Sequence, residues 1–456
     1  MKASTILTAI VCAAALAIYL TPPPDGVSVE MMHAGALVVF TVGLWAVGSL
    51  PEHIVGLLFF MLAMALAVAP AQVVFSGFAS ATLWLVLGGL IMAEAVHRSG
   101  LAQQLAGALF DRYALSYGQL VAAVVLASVV LSFLIPATVS RVLLLLPIVM
   151  ALAQRVGFEH DSSGYNGLCL ATIIATYQCG TTVLPANAPN LVLTGSAETL
   201  YGLQITYAEY LWVQFPVLGA LKSVAIIGFV LWLFPAHARP TPRSAEPAPL
   251  TPEQWRMVAI LAVALVLWAT DFIHGIKSGW IALAAGIICL LPRVGVMPVS
   301  AFNQVRLGPY FYVAATLGIG LVIQKTGLSD GLGRMVHGMI ALERGADFTN
   351  FMKLGVLATF TGLFSTNPAQ PAVLAPLAET FAQGTGWPLK SALMAIAVGF
   401  TTFLLPYQVP PAMVGLQVGA LRMGSMLRLV LPLAVFALVV MLPLQYLWWR
   451  VIGYFG

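Results

Sequence analysis

The stretch "FSTNPAQPAVLAPL" (residues 364–377) sets a Ser-Thr-Asn triplet and three prolines into an otherwise apolar part of the chain. A soluble loop would carry charge here. A continuous membrane helix would not carry Pro368 and Pro371 three residues apart, because each removes a backbone donor and clashes with the preceding turn. The solvent decides between these readings. Of the 456 residues, 60% are hydrophobic and 8% are charged, against about a quarter charged in a soluble domain. Apolar runs long enough to cross a bilayer recur over almost the whole length, so an all-α, polytopic membrane protein is predicted. Irregular backbone at membrane depth survives only where protein buries it or where it lines a wet cavity. Residues 364–377 therefore read as the tip of a re-entrant hairpin.

Working outward, about eleven spans are predicted, near 5–21, 33–49, 53–70, 80–97, 167–195, 211–234, 255–270, 279–292, 309–325, 390–416 and 427–449. Two further stretches, 118–153 and 348–384, are broken in the middle by polar, proline-containing turns and read as re-entrant hairpins. Residues 1–20 have the outline of a signal peptide, but with so many spans following and no clean cleavage site they read as the first membrane helix. The polar segment "PAHARPTPRSAEPAPLTPE" (235–253) divides the chain into a first half, 1–234, and a second, 254–456. Arg239, Arg243 and Arg256 place this linker on the cytoplasmic side. Counting spans from it gives a cytoplasmic N-terminus and an external C-terminus in the cell inner membrane. The net charge of +4 says little about partners, and since no basic stretch is interleaved with aromatics, a nucleic-acid partner is not expected. Cys12, Cys169, Cys179 and Cys289 lie in apolar segments without metal-ligand spacing.

The two halves repeat. "HRSGLAQQL" (97–105) answers "QKTGLSDGL" (324–332), an offset of 227 from Gly100 to Gly327. Pro147 answers Pro376 at 229, and "TTVLPANAP" (181–189) answers "TTFLLPYQVP" (401–410) at 220 from Thr181 to Thr401. An odd number of crossings separates equivalent elements, so the halves are expected to be inverted. That is the architecture of secondary transporters, whose site lies at mid-bilayer between the repeats.

Each half has two breaks: 132–141 and 180–190 in the first, 361–371 and 401–411 in the second. Prolines leave carbonyls there without partners. Those carbonyls, with Ser, Thr and Asn oxygens, suit a hard cation such as Na⁺, while the facing helix N-termini suit an anion. A single proline break is as readily a packing kink. Four at matched positions point to a cation-coupled anion carrier. No paired intramembrane carboxylates or His clusters support an enzyme.

The hairpin–span–hairpin order, with these Ser/Thr/Asn tips, resembles the divalent anion–sodium symporter family over nearly the whole chain, including the tail "LPLQYLWWRVIGYF" (442–455). The family's Ser-Asn-Thr signature corresponds to Ser365-Thr366-Asn367, with Thr361 four residues earlier, and in the first half to Pro136-Ala137-Thr138 after Ser132. Its Thr-Pro-Pro-Asn elements correspond to Ala188-Pro189-Asn190 after Asn187, and to Val409-Pro410-Pro411 after Gln408. The resemblance implies one or two Na⁺ ions flanking one anion, no organic cofactor, an elevator motion of the hairpin domain and a homodimer. It implies Ser132, Ala137 and Asn187 at the first cation site, and Thr361, Phe364, Thr366, Asn367 and Gln408 at the second. Thr138, Ala188, Pro189, Ser365, Thr366, Asn367, Val409 and Pro410 would face the anion.

With Pro136 and Ala137 at the first tip, that cation site loses two side-chain oxygens. Arg141 stands close by. A charge at bilayer depth costs about 2.5–3.5 kcal/mol on insertion scales. Either the side chain reaches the cytoplasmic surface, or it supplies a fixed charge that replaces the first Na⁺ or pairs with the anion. Glu94 is expected to pair locally with His97 or Arg98. Asp271 and His274 are expected in solvent, and Tyr446, Trp448, Trp449 and Tyr454 in an interfacial belt. The function expected is Na⁺-driven uptake of a C4-dicarboxylate, citrate-like anion or sulfate. The alternatives are a Na⁺-independent or H⁺-linked anion exchanger and a passive anion channel.

Overall fold

The computed structural model describes residues 3–105, 116–238 and 249–456, and among these it is built of helices. Arg112, Arg239 and Arg243 lie outside the described residues. Leaving four-residue turns unnumbered, the helices are α1 (Ala3–Leu20), α2 (Val29–Val47), α3 (Glu52–Ala65), α4 (Ala81–Ser99), α5 (Tyr117–Leu134), α6 (Thr138–Arg155), α7 (Ser163–Gly180) and α8 (Ala188–Tyr201). There follow α9 (Tyr207–Leu233), α10 (Pro252–Ala269), α11 (Ser278–Leu290), α12 (Gly308–Lys325), α13 (Leu328–Met339), α14 (Asp347–Phe364), α15 (Gln370–Leu374), α16 (Ala378–Thr385), α17 (Leu389–Phe400), α18 (Pro410–Val418) and α19 (Met423–Val451). Among the described residues, seven helices are long and apolar enough to cross a bilayer, and α12 with the start of α13, bent by 82°, would make an eighth. Helix α13 was not predicted; the turn at Thr326–Gly327, with Gly327 at φ +76°, redirects the chain after the twelfth helix.

The helix ends follow local chemistry. Ser28, Ser116, Ser162 and Thr206 cap α2, α5, α7 and α9 with side-chain oxygens, and Thr251 with Gln254 forms a capping box on α10. One order of elements occurs twice. A helix (α4; α12) precedes two arms parted by a short break (α5–α6 at 135–137; α14–α16 at 365–369). Next comes a helix interrupted by a 3₁₀ turn, Leu184–Ala186 in α7–α8 and Pro406–Gln408 in α17–α18. A long helix with a π turn closes each set, Phe215–Leu221 in α9 and Ala437–Met441 in α19. Pro216 and Pro443 lie in or beside these turns, where a missing N–H is absorbed by the wider winding.

Helix α7 is buried on every side from Gly164 to Gly180 and packs on α5, α6 and α9. It is the central rod of the first half, and polar side chains it carries find partners inside the protein, Thr172 on Leu168 O and Thr176 on the Ser128 hydroxyl. The first hairpin tip is pressed against α4: a Cβ on Gly89 would come within 2.8 Å of Pro136.

Two expectations are corrected here. Asp271 is buried, not solvated: its Oδ2 accepts the Tyr207 N–H at 2.6 Å and so caps α9. Burial pushes its carboxyl above the usual range, partly offset by that N–H. The tail aromatics do not form an outward belt as a set. Trp449 and Tyr446 are buried and pack on Phe351 and Phe455, and Trp448 stacks edge-on against Trp212. Their amphipathic rings seal the end of α19 against α14.

Candidate transport site

The break at 135–137 frees the Ile135 carbonyl, and the break after α7 frees the Ala186 carbonyl. One side chain takes both. Arg141, one turn into α6, is 0% exposed. Its Nη1 donates to Ile135 O at 3.2 Å. Its Nη2 donates to Thr176 O at 3.1 Å, Ala186 O at 3.0 Å and the Thr138 hydroxyl at 3.1 Å. Thr138 Oγ1 in turn donates to Ala186 O at 3.0 Å. The Nε–H has no hydrogen-bond partner. The guanidinium reaches α7 at Gly180 with its Nη2 end, where any Cβ would collide with it. Arg141 therefore does not reach the surface. It stays inside because three carbonyls and a hydroxyl compensate for lost water better than a stretched side chain crossing the apolar arm would.

The second pair of breaks meets the same need differently. Asn367, at the tip between α14 and α15, donates through Nδ2 to Phe400 O and to the Tyr177 hydroxyl, each at 3.1 Å, and to Thr402 O at 3.5 Å. Its own N–H donates to Gln408 O at 2.8 Å. Gln408 Oε1 accepts the Leu404 and Leu405 N–H groups, each at 2.8 Å. The Thr401 carbonyl, at the end of α17, accepts from Lys222 Nζ at 2.7 Å, and that ammonium also donates to Thr402 Oγ1 at 3.2 Å. Lys222 is 1% exposed. Among the described residues every ion pair lies elsewhere, Glu94 with Arg98 being one, as expected. Neither Arg141 nor Lys222 has a carboxylate partner.

Of the residues predicted for the site, Thr138, Asn187, Ser365, Thr366, Asn367, Gln408, Val409 and Pro189 are all buried at the breaks. Asn187 caps α8 through Ala188 N–H at 3.0 Å. The Thr366 hydroxyl faces the buried phenol of Tyr312. The two tips converge on neighbouring residues of α7: Arg141, which bonds Thr138, takes the Thr176 carbonyl, and Asn367 takes the Tyr177 hydroxyl. Ala137, Ala188 and Pro410 flank the breaks, half-buried. Three residues stand apart. Ser132 and Thr361 turn their hydroxyls to carbonyls of their own helices, Ser128 and Leu357, each at 2.8 Å. The Phe364 side chain is 80% exposed, so only its backbone is available. Sequence reading missed Tyr177, Tyr210 and Lys222. Lys222 carried the signal that flagged Arg141, a single charge deep in an apolar helix.

Span-length apolar helices with buried, side-chain-capped interruptions are the arrangement expected of a membrane transport protein. The chain belongs to the family described as "Sodium:sulfate symporter transmembrane region", whose model matches residues 2–455. It is thus a transporter of the sodium:sulfate and dicarboxylate type, as the sequence motifs implied. It is 23% identical to a "Membrane protein" of Cupriavidus necator over 97% of this chain and 92% of that one. It is 19% identical to the sodium-dependent dicarboxylate transporter SdcS of Staphylococcus saprophyticus over 88% of this chain and 83% of that one. Among solved structures, the YdaH transporter of Alcanivorax borkumensis shares the fold with a TM-score of 0.60 at 15% identity, covering 93% of this chain and 99% of that one.

Proposed function

We propose that this chain is a secondary active carrier of a small anion, of C4-dicarboxylate, citrate-like or sulfate type. The anion binds where the two hairpin tips meet α7, among Thr138, Ser365, Thr366, Asn367 and the N-termini of α8 and α18 at Ala188-Pro189 and Val409-Pro410. The recurring order of elements fits a chain of two related halves; their inversion, an elevator motion of the hairpin arms and a homodimer are carried over from the family resemblance. The observation that carries the reading is Arg141: a fully buried guanidinium on three carbonyls, with no carboxylate beside it. A cation held there attracts an anion, and it takes the carbonyls that a first Na⁺ would need. Of the residues expected at that ion, the Ala137 carbonyl and the Asn187 amide oxygen already accept the Arg141 and Ala188 N–H groups, and the Ser132 hydroxyl donates to Ser128 O. The carrier therefore works without Na⁺ at the first site.

A second reading keeps one Na⁺ at the second hairpin. It draws on the Thr361, Ser365 and Thr366 oxygens and on the name of the SdcS relative. The test is uptake of labelled succinate, citrate and sulfate into proteoliposomes, each with and without a Na⁺ gradient. Saturable uptake of one anion supports the carrier. Non-saturating conductance in planar bilayers would support a channel and end this proposal.

A further inference from the structure

We propose that the cavity between the second half of α4 and the second arm of the first hairpin is the vestibule through which the anion reaches the transport site, and that Arg306 at its rim captures the anion there. The inference rests on the carrier reading above and deepens it with a route and a residue.

The two ends of α4 differ. At its N-terminus Glu198, from α8, closes the gap. Its Oε2 accepts the Ser80 hydroxyl at 2.7 Å and its Oε1 accepts Lys277 Nζ at 2.6 Å. The helix that starts at Ala188-Pro189 is thereby tied to the caps of α4 and α11. The space left beside this clasp is about 30 Å³, room for a water or two at most. The second half of α4 instead stands apart from α6. The space between them is about 390 Å³, within the roughly 300–1,000 Å³ of small-molecule pockets. On α4 its lining begins at Leu90, next to the Gly89 that bears on Pro136 of the hairpin tip. On α6 it begins at Ser140, two residues past Thr138, or about 3 Å along the helix axis. The cavity therefore starts at the tip and opens toward the end of α4 at His97.

The charges along it suit an anion. Glu94 is in the wall, but its carboxylate is paired with Arg98 at 2.6 Å. Arg98 also bonds Gln304, which pins the segment after α11 to α4, and the buried Val305 anchors that segment. Arg306 comes next, at the rim. It is exposed and has no ion-pair partner among the described residues. The carboxylate in the lining is thus already matched, and the Arg306 guanidinium is left to act on solutes. Leu143, Leu144 and Pro147 of α6 make one wall apolar, while His97, Gln103 and Ser140 add hydrogen-bonding groups. A cleft with low-dielectric walls and unmatched charge of one sign concentrates ions of the other sign. Arg306 steers and concentrates the anion; the residues at the tips hold it. The positive-inside rule assigns this face to the cytoplasm, since Arg98 and Arg306 both lie on it.

The experiment uses the full-length protein with Ser140→Cys as a reporter inside the cavity. Cys12, the exposed one of the natural cysteines, is first removed as Cys12→Ser. An anionic and a cationic methanethiosulfonate of similar size are applied to membrane vesicles of each orientation. Both reagents are expected to react from the Arg306 face and neither from the other. Arg306→Gln is expected to lower the ratio of anionic to cationic rates about tenfold, the lower end of what charge focusing supplies, and Arg306→Lys to restore it. In transport of labelled succinate, citrate and sulfate, Arg306→Gln is expected to raise the half-saturating concentration of the carried anion by a similar factor, from that face alone, with the maximal rate kept. A residue that only braces the loop predicts a lower maximal rate with an unchanged reagent ratio, and that result overturns the assignment. A reporter that reacts with neither reagent means that lipid fills the cavity, and overturns the vestibule while the carrier reading stands. Failure of all three anions to cross under any condition overturns the carrier reading itself, and this inference with it.

Discussion

The two interrupted regions solve one problem with different residues. At the first, the hairpin tip is Pro136-Ala137-Thr138, poor in side-chain oxygens, and the freed carbonyls are gathered by a forked guanidinium from the hairpin's own second arm. At the second, the tip retains Ser365-Thr366-Asn367. The Asn367 amide does most of the gathering, and the cation is a point-charge ammonium from α9, a helix outside the hairpin. Arg presents a planar fan of donors and can replace a missing tip, whereas Lys offers a compact charge and needs the tip's help. The difference also separates roles. Arg141 is part of the hairpin's architecture, while Lys222 adds charge to a break that Asn367 already holds together.

The largest effect should come from breaking the first arrangement. Arg141→Met leaves the Ile135, Thr176 and Ala186 carbonyls buried with fewer donors. A loss on the order of 3–5 kcal/mol is expected, by analogy with breaking a buried charged contact. Thermal unfolding followed by intrinsic fluorescence in detergent would show it as a sharp fall in Tm. Adding 100 mM Na⁺, at about that concentration a strong probe of any site that binds only the native state, should raise the Tm of this variant. The unmodified protein should not respond. An Arg141→Met protein as stable as its parent would mean that the carbonyls have other partners and that the guanidinium is incidental.

A smaller effect sharpens the contrast at equivalent positions. Gly180 ends α7 and Phe400 ends α17. Both have their carbonyls taken by an asparagine amide, Asn190 at 3.0 Å and Asn367 at 3.1 Å. Only the first must be glycine, because the guanidinium of Arg141 lies where its Cβ would be. Gly180→Ala should therefore cost about 1–3 kcal/mol through overpacking and lower anion transport, since it shifts Arg141 from its carbonyls. Gly180→Ala with full stability and full transport would show that the guanidinium can move aside freely, contrary to a rigid charge.

How much of this was legible follows from where each signal sits. The breaks could be read because proline and Ser/Thr/Asn clusters stand out against an apolar background, and the twofold order of elements could be read from matched spacings. The location of Arg141 was visible but not its destination. Six residues of helix span only about 9 Å, so surface and interior were equally reachable from the string. What kept it inside is the Ala186 carbonyl, 45 residues away in sequence. The partnership of Lys222 with Thr401 crosses 179 residues and had no local trace. Asp271 was misread for the same reason: its partner, the Tyr207 N–H, lies 64 residues earlier. The tail aromatics were misplaced because Trp and Tyr near a helix end suit an interface and a packed seal equally well.

The smallest expected effect tests whether charge or capping matters. Helix α9 supplies a donor to both equivalent carbonyls: the Tyr210 hydroxyl to Thr181 O at 2.9 Å, and the Lys222 ammonium to Thr401 O at 2.7 Å. The two bonds are alike in length, burial and acceptor, and differ in the charge of the donor. Tyr210→Phe deletes a neutral donor and leaves the ring in place. It should cost about 1 kcal/mol, within the usual range for a buried hydrogen bond, with anion transport near the parent rate. Lys222→Gln retains a donor to the Thr401 carbonyl, so if the bond serves only to cap α17, stability and transport should both stay near the parent. Transport that fails in Lys222→Gln while Tyr210→Phe transports normally would show that the amine at the second break does more than close the backbone.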